Sequence, residues 1–251
     1  MKSETNIIYG RRPVLEALQS NMSVERIVLR LNLQGKIIGD IIKLAKSQNV
    51  RIDRMTETVF DRKFMGMNSG GVIAYTASIA AVEVEDIIQQ IESRNENPFL
   101  VILDGIEDPH NLGAIARSAE GAGCHGVIIP KRRSAPLSET ALKVSAGALA
   151  HIPVAKAGNL AQTLEYLKKQ DIWIFGADME GVNFSEVDYP EKLALVIGAE
   201  GEGLSRLIKD KCDVLLKIPL HGKTASLNAS VAAGILLFHI AGKRINKDIQ
   251  D

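Results

Sequence analysis

Three polar segments of the sequence each follow a short apolar run and carry side chains suited to chemistry on a polar substrate. D-G-I-E-D-P-H-N-L-G-A-I-A-R follows F-L-V-I-L and contains Asn111 and, six residues later, Arg117. A-E-G-E-G-L-S follows L-A-L-V-I-G and places Glu200 among glycines. H-G-K-T-A-S-L-N-A-S follows V-L-L-K-I-P and contains Ser226 and Asn228. Together these side chains can donate and accept hydrogen bonds, and Arg117 adds a permanent positive charge.

The apolar runs indicate which elements position these segments. From residue 98 onward they are F-L-V-I-L, G-V-I-I-P, I-W-I-F-G-A, L-A-L-V-I-G-A and V-L-L-K-I-P. Continuous apolar runs separated by helix-length segments are typical of a parallel sheet covered by helices on both faces. Ligands of such sheets bind at the carboxyl ends of the strands. The sequence therefore predicts an α/β domain in which the three polar segments meet at one edge of the sheet.

Two of the segments also fit purely structural interpretations. Asn111 can be a helix cap and Arg117 a surface residue. One capping residue is enough to begin the apolar helix after Asn228, yet polar side chains stand at 224, 226, 228 and 230. This surplus favours a further role for some of them.

The glycine-rich segment around Glu200 invites comparison with phosphate-binding loops. Its glycines allow the backbone to approach another group closely. However, Glu200 and Glu202 would repel a phosphate. The segment is better suited to positioning a carboxylate or contacting a neutral ligand.

The first part of the chain has a different pattern. It predicts helices over 12–19, 36–48 and 57–65 and strands over 26–31, 50–53 and 72–76, which together form a small α/β sandwich. Residues 1–75 hold 12 basic and 7 acidic residues, a net charge of +5 in a chain that is neutral overall. This charge suits a polyanion-binding module and equally suits a solvated surface. We predict domains over 1–76 and 98–251, joined by an acidic linker over 77–97.

Composition excludes several other classes of protein. The longest apolar stretch, near 231–241, is about half of the roughly 20 residues that a membrane-spanning helix needs. The first residues, M-K-S-E-T-N, lack the apolar core of a signal peptide, so we expect a cytoplasmic protein that does not enter membranes. Cys124 and Cys212 have no metal-site or disulfide spacing and are predicted to be buried thiols. His110, His151 and His221 are expected to have structural or peripheral roles.

A glycine pattern that suggests a dinucleotide site is interpreted otherwise. G-A-G-C-H-G, residues 121–126, matches the GxGxxG fingerprint. That fingerprint must follow a strand and open a helix, whereas this one follows a predicted helix and leads into the strand G-V-I-I-P. A helix end followed by a tight turn explains it, which argues against a nicotinamide enzyme.

Taken together, the three polar segments resemble the signature motifs of the SpoU (TrmH-type) RNA ribose 2′-O-methyltransferases of the SPOUT class. The matching stretches are D-P-H-N-L-G-A-I-A-R-S-A-E-G-A-G, V-I-G-A-E-G-E-G-L-S and I-P-L-H-G-K-T-A-S-L-N-A-S-V-A-A-G-I. They occur in the family's order and strand context, and the resemblance covers about residues 98–245. The start I-I-Y-G-R-R-P-V-L-E-A-L is similar to an L30e/L7Ae-type RNA-binding domain that precedes the catalytic domain in one branch of the family.

The resemblance implies a cofactor, a fold and roles for particular residues. The cofactor would be S-adenosylmethionine, bound in a deep trefoil knot, and no metal is implied. The implied catalytic residues are Asn111, Arg117, Glu200, Ser226 and Asn228. The implied cofactor contacts, largely through the backbone, are Ile197, Gly198, Ile218 and Leu227 together with the loop Ser145, Ala146, Gly147 and Ala148. RNA contacts in the first domain would include Arg11 and Arg12.

The resemblance also implies partners. Such enzymes are homodimers whose active sites form across the interface between knots, and the branch most similar to this chain methylates a guanosine ribose in 23S rRNA. A target in tRNA or elsewhere in rRNA, including one that confers antibiotic resistance, stays open because the motifs say little about the RNA. A non-catalytic RNA-binding assembly factor on the same scaffold is the alternative from another class.

Overall fold

The structure, a computed structural model, describes residues 6–19, 24–76 and 81–248. These residues belong to two compact units, Met1–Ala80 and Ala81–Asp251. Within the described ranges, none of the helices combines the length and the apolar character that crossing a membrane requires.

The first unit is a four-stranded sheet with helices on both faces. Its elements are β1 (Asn6–Tyr9), α1 (Arg11–Gln19), β2 (Val24–Arg30), α2 (Lys36–Ser47), β3 (Arg51–Met55), α3 (Glu57–Lys63) and β4 (Val72–Thr76). The strand order is β1-β4-β2-β3, in which only the β2–β3 pair is parallel. All six elements predicted for this part of the chain are confirmed, with ends that differ by at most two residues.

Alternation along the strands explains the layers of the first unit. On β2, Ile27 and Leu29 face the helices α1 and α2, while Val28 between them faces Phe60 and Phe64 at α3. Successive side chains of a strand point to opposite faces of the sheet, so a strand buried on both faces needs apolar residues at both sets of positions. Each face of this sheet therefore has its own apolar core.

The second unit is a six-stranded sheet in which every neighbouring pair is parallel. Its elements are α4 (Val84–Ser93), β5 (Phe99–Asp104), α5 (Pro109–Gly121), β6 (Gly126–Pro130), α6 (Glu139–Val144), β7 (Val154–Ala157), α7 (Leu160–Lys168), β8 (Trp173–Asn183), β9 (Leu193–Gly198), α8 (Arg206–Lys209), β10 (Val214–Lys217) and α9 (Ala229–Asp248). The strand order is β10-β8-β9-β5-β6-β7. The predicted α/β domain with a parallel sheet is confirmed.

Both faces of this sheet are buried, as the continuous apolar runs predict. Leu100 and Ile102 of β5 pack with α4, α7 and α8 in one cluster. Phe99, Val101 and Leu103 are equally buried on the other face, where α5 packs against β6 and α9 packs against β9. An alternating pattern would leave one of these faces in water.

The predicted acidic linker over 77–97 is wrong in its central part. Residues 84–93 form α4, and Val84, Ile87, Ile88 and Ile91 on this helix are buried in the core of the second unit. The acidic side chains Glu85 and Glu92 lie on its exposed face. An amphipathic helix carries its charges on the solvent side, which made the segment resemble a linker. Residues 77–80 of the prediction lie outside the described residues.

Two short strands were not predicted. β1 and β7 have four residues each, N-I-I-Y and V-A-K-A, too few for a periodic signal. Both are edge strands, stabilised by pairing with β4 and β6 respectively. Pairing with a neighbouring strand determines the conformation of such short segments more than their own composition does.

Two contacts fix the helices that flank the predicted site. At Gly113 in α5, a Cβ would lie 2.5 Å from the carbonyl oxygen of Ala141 and 3.1 Å from the backbone nitrogen of Ser145, so α5 and α6 touch through their backbones. At the far end of α9, the Arg244 guanidinium donates to the carbonyl oxygens of Glu191 and Asn97 and lies 5.1 Å from the centre of the Phe99 ring. These contacts hold α5 and α9 in place on the same face of the sheet.

The close approach at Gly113 gives the first prediction. We expect Gly113→Ala to lower the free energy of unfolding by about 2 kcal/mol, because the added methyl group has no space between the two backbones. Gly242→Ala is the control: a Cβ at Gly242 in α9 meets nothing within 4 Å, and alanine is the better helix former there. Denaturant unfolding of both variants would measure the difference, and a Gly113→Ala protein as stable as the control would contradict the contact.

Candidate active site

The three polar segments predicted from the sequence lie at the same edge of the parallel sheet. They follow the carboxyl ends of β5, β9 and β10, and Asp104 at the end of β5 is directly opposite Gly198 at the end of β9. Parallel strands bring the segments that follow them to one edge. The expected meeting of the segments is confirmed.

Asn111 is not the cap of α5. Asp108 caps this helix, since its Oδ1 accepts a hydrogen bond of 2.8 Å from the backbone nitrogen of His110, and Pro109 occupies the first helical position. Asn111 therefore lies inside the first turn, and its carboxamide is free to contact the neighbouring segments. The sequence reasoning missed Asp108, although Asp before Pro at a helix start is a recognisable capping signal.

The carboxamide of Asn228 joins the three segments. Its Nδ2 donates to Asn111 Oδ1 at 3.0 Å and to Glu200 Oε2 at 3.0 Å. Its Oδ1 accepts from the backbone nitrogen of Ser230 at 2.9 Å and from the Ser230 hydroxyl at 2.6 Å, and so caps α9. One partly buried side chain thus begins the helix with its oxygen and binds the two other segments with its nitrogen. We call this arrangement of Asn111, Glu200 and Asn228 the amide junction.

A tight hairpin holds Glu200 at this junction. Ala199 and Gly203 exchange two backbone hydrogen bonds of 3.1 and 2.8 Å, and Gly201 and Gly203 have φ of +82° and +69°, which glycine adopts without strain. At Gly198, a Cβ would lie 2.1 Å from the carbonyl carbon of Gly203, so only glycine allows the hairpin to fold back on the strand end. The backbone nitrogen of Ser205 donates to Asp104 Oδ2 at 2.7 Å and fixes the hairpin to β5.

The segment between β10 and α9 offers unused backbone groups. Within the described residues, the backbone of 218–227 makes no hydrogen bond to the rest of the chain. Ile218 and Leu227 in this segment are partly buried, while Ser226 is exposed and its hydroxyl has no partner in the described ranges. Unpaired backbone groups next to half-buried apolar side chains can bind the edge and face of a flat heterocycle.

The loop over 145–148 lies against the start of α5. Ser145 is buried and its hydroxyl donates to the carbonyl oxygen of Leu142 at 2.8 Å. Ala146 and Gly147 have φ of +49° and +94°, so the chain reverses there before a single 3₁₀ turn begins at Ala148. Ser145 contacts α5 at Gly113, which is two residues after Asn111. The structure thus places the 145–148 loop and the amide junction beside the same helical turn, with Ile197 and Gly198 at the adjacent strand end.

Arg117 is separated from the junction. It lies six residues after Asn111 on α5, which corresponds to a rotation of about 240° around the helix and an advance of about 9 Å. Its side chain is exposed and, in the part of the chain that the structure describes, has no hydrogen-bond or ion-pair partner. Of the five predicted catalytic residues, the structure brings together Asn111, Glu200 and Asn228 and leaves Arg117 and Ser226 outside their contacts.

Helix α9, which packs against α5, has an exposed apolar face. Val231, Ile235 and Phe238 are 50%, 38% and 55% exposed and are spaced as residues on one side of a helix. This helix contacts α5 closely, since a Cβ at Gly121 of α5 would lie 3.4 Å from the Phe238 ring. We call these three residues the α9 stripe.

The two cysteines of the chain are not activated as nucleophiles. Cys124 is buried and Cys212 partly buried, and burial raises the pKa of both thiols, that of Cys212 to about 12. Over the described ranges, no group of three or more His, Cys, Asp or Glu side chains could hold a metal ion. His110, His151 and His221 are exposed. The GxGxxG stretch ends α5 and turns at Gly123, whose φ is +77°, as predicted.

The two arginines of the first unit that are predicted to contact RNA differ in their exposure and hydrogen bonding. Arg11 Nε donates to the carbonyl oxygen of Gly70 at 2.9 Å and so links α1 to the loop before β4. Arg12 is exposed and has no partner among the described residues. Arg12 is therefore the more available of the two for a ligand.

Comparison with known proteins gives a consistent result. Residues 98–238 match the model of the SpoU rRNA Methylase family, and residues 7–80 match a model described as RNA 2′-O ribose methyltransferase substrate binding. YacO of Bacillus subtilis, assigned to the TrmH family of tRNA/rRNA methyltransferases, is 42% identical over 245 residues, which cover 97% of this chain and 98% of YacO. A TrmH family relative from Staphylococcus saprophyticus is 40% identical, with 96% and 97% covered.

Solved structures show the same fold. The SpoU methyltransferase AviRb of Streptomyces viridochromogenes, in complex with AdoMet, superposes with a TM-score of 0.66 at 23% identity, covering 96% of this chain and 90% of AviRb. The TrmH/SpoU tRNA modifying enzyme of A. aeolicus superposes with a TM-score of 0.55 at 28% identity, covering 66% of this chain and 86% of that one.

The amide junction predicts a pH-dependent effect of Asn228→Asp. An aspartate keeps an oxygen that caps α9 but replaces the donor to Glu200 with a second carboxylate. At pH 7 both carboxylates are ionised and repel each other, so we expect a loss of about 1 kcal/mol in the free energy of unfolding, modest because Glu200 is exposed. The folded variant binds a proton more readily than the unfolded chain, so the loss shrinks as the pH falls towards 4.

Asn228→Ser is the matched control for this prediction. A serine also caps the helix but adds no charge, so its effect on stability should not change with pH. Urea unfolding of the two variants at pH 4 and pH 7 gives the four free energies of unfolding to be compared. Equal pH dependence of the two variants would contradict the contact between Asn228 and Glu200.

Proposed function

The chain belongs to the SpoU rRNA methylase family of RNA methyltransferases, and we propose that it transfers a methyl group from S-adenosylmethionine to the ribose 2′-OH of a guanosine in 23S rRNA. The amide junction carries this proposal. It joins one side chain from each of the three motifs, Asn111, Glu200 and Asn228, beside unpaired backbone groups that suit an adenine. A non-catalytic RNA-binding factor would not need such an arrangement.

The proposed cofactor site uses backbone and apolar groups. Gly198 and Ile197 at the end of β9, Ile218 and Leu227 between β10 and α9, and the loop over 145–148 would surround the adenosine. S-adenosylmethionine, when bound, supplies an electrophilic methyl group on a positively charged sulfur. The site needs no strong acid or metal to activate this donor. The two histidines within the motifs, His110 and His221, are exposed and are not part of the amide junction.

The chain's own task is to position the ribose and to stabilise its oxygen as the proton leaves. Positioning alone can lower the barrier by about 7–11 kcal/mol in favourable cases. Arg117 is a poor base, because a guanidinium stays protonated in proteins. As a cation it can hold the phosphate next to the target ribose or stabilise the developing alkoxide. Ser226, exposed next to Leu227, is assigned to the rim that receives the ribose.

A homodimer would bring Arg117 into an active site. Arg117 lies about 240° around α5 from Asn111 of the amide junction. The neighbouring helix α9 carries the α9 stripe, which leaves three large apolar side chains exposed. A second copy that covers the stripe would place Arg117 of one protomer near the junction of the other. The homodimer is therefore part of the proposal, with each site built from both protomers.

The remaining parts of the proposal follow from the family resemblance. A deep trefoil knot in the last third of the chain is proposed on the family resemblance, and Asn228 and the Glu200 hairpin would both belong to it. The first unit, Met1–Ala80, is proposed to be an L30e-like RNA-binding domain with Arg11 and Arg12 on its binding surface. Its match to a substrate-binding model and its basic composition support this. We place the protein in the cytoplasm, with its RNA.

The RNA target has one serious alternative. The curated relatives are assigned to tRNA/rRNA methyltransferases, and the A. aeolicus neighbour is described as a tRNA modifying enzyme. The same reaction on tRNA, or on another rRNA site, therefore competes with the 23S rRNA proposal.

One experiment tests the reaction and its target together. The protein is incubated with labelled S-adenosylmethionine and total RNA from cells that lack it, and the 2′-O-methylated nucleotide is then mapped. We expect label on a guanosine of 23S rRNA. Label on tRNA alone would replace the target, and the absence of transfer to any RNA would overturn the proposed activity.

Arg117→Lys tests the role of the guanidinium. Lysine keeps the charge but loses the planar pair of donors, so we expect methyl transfer to fall by about 100-fold while S-adenosylmethionine binding is unchanged. Single-turnover transfer and equilibrium dialysis measure the two quantities. Near-normal turnover of Arg117→Lys would exclude both roles proposed for this arginine.

Ile235→Glu tests the homodimer. We expect the wild-type protein to sediment at twice its chain mass of 27.2 kDa and the variant to sediment as a monomer, because a charge in the α9 stripe must be desolvated when a second copy covers it. Met179→Glu is the control, since Met179 is an apolar residue of β8 that is exposed to a similar degree. A wild-type monomer, or equal dissociation of both variants, would contradict the proposed interface.

A further inference from the structure

A cleft adjoins the Glu200 hairpin, apart from the candidate active site, and we call it the second cleft. Its volume is about 340 Å³, and it opens at the carboxyl edge of the sheet on the side covered by α7 and α8. Ala199, Glu202 and Gly203 of the hairpin form one wall. None of the residues of the amide junction and none of the proposed cofactor contacts lines it. The cleft is thus a separate site that shares one wall with the candidate active site.

The floor of this cleft is apolar. Leu160, Leu204 and Ile208 are buried beneath it, and Leu207 on the rim is 59% exposed. A surface of this kind fits the face of a flat ring better than it fits a sugar or a phosphate, both of which would leave it uncovered.

The polar groups around the floor include donors and acceptors. Arg132 and Arg133 are exposed donors. Asn159 caps α7 with its Oδ1, which accepts from Gln162 at 3.3 Å, so its Nδ2 is left to donate into the cleft. Asp104 accepts from Ser205 through Oδ2 and keeps Oδ1 available, and Glu202 contributes a whole carboxylate.

This balance of charge selects the class of ligand. Asp104 and Glu202 would repel a phosphate, and Arg132 and Arg133 would repel a cation. A flat neutral ring that offers both donors and acceptors along its edges satisfies both pairs. Among the components of RNA, only a nucleobase combines a flat apolar face with such edges.

The turn that carries the two arginines is fixed by hydrogen bonds to neighbouring segments. The arginines lie in the turn after β6, where the Ser134 hydroxyl donates to the carbonyl oxygen of Pro130 at 2.6 Å. The backbone nitrogens of Lys131 and Ala135 donate to the carbonyl oxygens of Ala157 and Ile106 at 2.8 and 2.7 Å.

Arg133 itself is in a left-handed conformation, with φ of +56°. A residue other than glycine occupies this region at some cost in free energy, and such residues are concentrated at ligand sites.

We infer that this cleft binds a guanine base of the RNA substrate, unstacked from its neighbours and laid on the apolar floor. Guanine presents two acceptors, O6 and N7, which arginine recognises with two parallel hydrogen bonds. Its N1–H and 2-amino donors lie side by side and match the two oxygens of the Glu202 carboxylate. Adenine lacks this pair of donors, and a pyrimidine covers less of the floor. RNA-binding proteins commonly read such splayed bases.

This inference rests on the proposed function for its place in the reaction but can be tested without it. Fluorescein-labelled single-stranded UUGUU, UUAUU and UUIUU, in which I is inosine, are titrated with the whole protein and followed by anisotropy. We expect UUGUU to bind about tenfold more tightly than UUAUU. Inosine lacks only the 2-amino group, so UUIUU should also bind more weakly than UUGUU.

Glu202→Gln assigns the preference to the cleft. A carboxamide offers one acceptor and one donor in place of two acceptors, so the affinities for UUGUU and UUIUU should become equal. Glu107→Gln is the matched control, because Glu107 is an exposed carboxylate 4.0 Å from Arg133 that does not line the cleft, and it should keep the preference. Equal binding of all three oligonucleotides, no binding, or a preference that survives Glu202→Gln would each overturn the inference.

A transfer assay then shows which guanine enters the cleft. Inosine replaces either the methylated guanosine or a guanosine beside it in the mapped substrate. The replacement that lowers kcat/KM about tenfold for the wild type, but not for Glu202→Gln, identifies the bound base. No such position would contradict the inference. If the wild type transfers no methyl group, the proposed function fails, while the oligonucleotide result still decides the cleft.

Discussion

The carboxamide of Asn228 is the contact on which the candidate active site depends. Its nitrogen binds Asn111 and Glu200, and its oxygen begins α9 through Ser230. A carboxamide suits this position because it offers two donors on one atom and an acceptor on the other. Three segments that are far apart in sequence are therefore fixed relative to one another by one side chain, and the start of a long helix is fixed with them.

The surrounding fold makes this contact possible by bringing backbones unusually close together. Gly198 lets the Glu200 hairpin fold over the end of β9, and Gly113 lets α5 rest directly on α6. Neither position has room for a side chain, so the polar groups are placed by rigid backbone contacts. Preorganised groups of this kind lose little free energy in reorganising when a substrate binds. The second cleft shares the same hairpin, so both sites depend on the close approach at Gly198.

Much of this arrangement could be predicted from the sequence. The continuous apolar runs predicted the parallel sheet, and the polar segments after them predicted the edge at which the site lies. The hydrogen bonds between Asn228, Asn111 and Glu200 were beyond such reasoning, because the distances between segments depend on helix packing. Helix α4 was mistaken for a linker because its exposed acidic face dominated its composition, while the buried isoleucines that fix it belong to tertiary packing. The second cleft gave no signal, since its residues come from four separate segments.

The double use of Asn228 also sets the order in which a newly made chain acquires its site. Asn111 and Glu200 are synthesised 117 and 28 residues before the side chain that joins them. At a translation rate of roughly 5–20 residues per second, Asn228 is added to the chain about 1 to 6 seconds after Glu200. Because the same carboxamide caps α9, closing the polar site and fixing the start of that helix are coupled. A nascent chain that has not yet reached Asn228 carries most of the sheet but cannot assemble the junction.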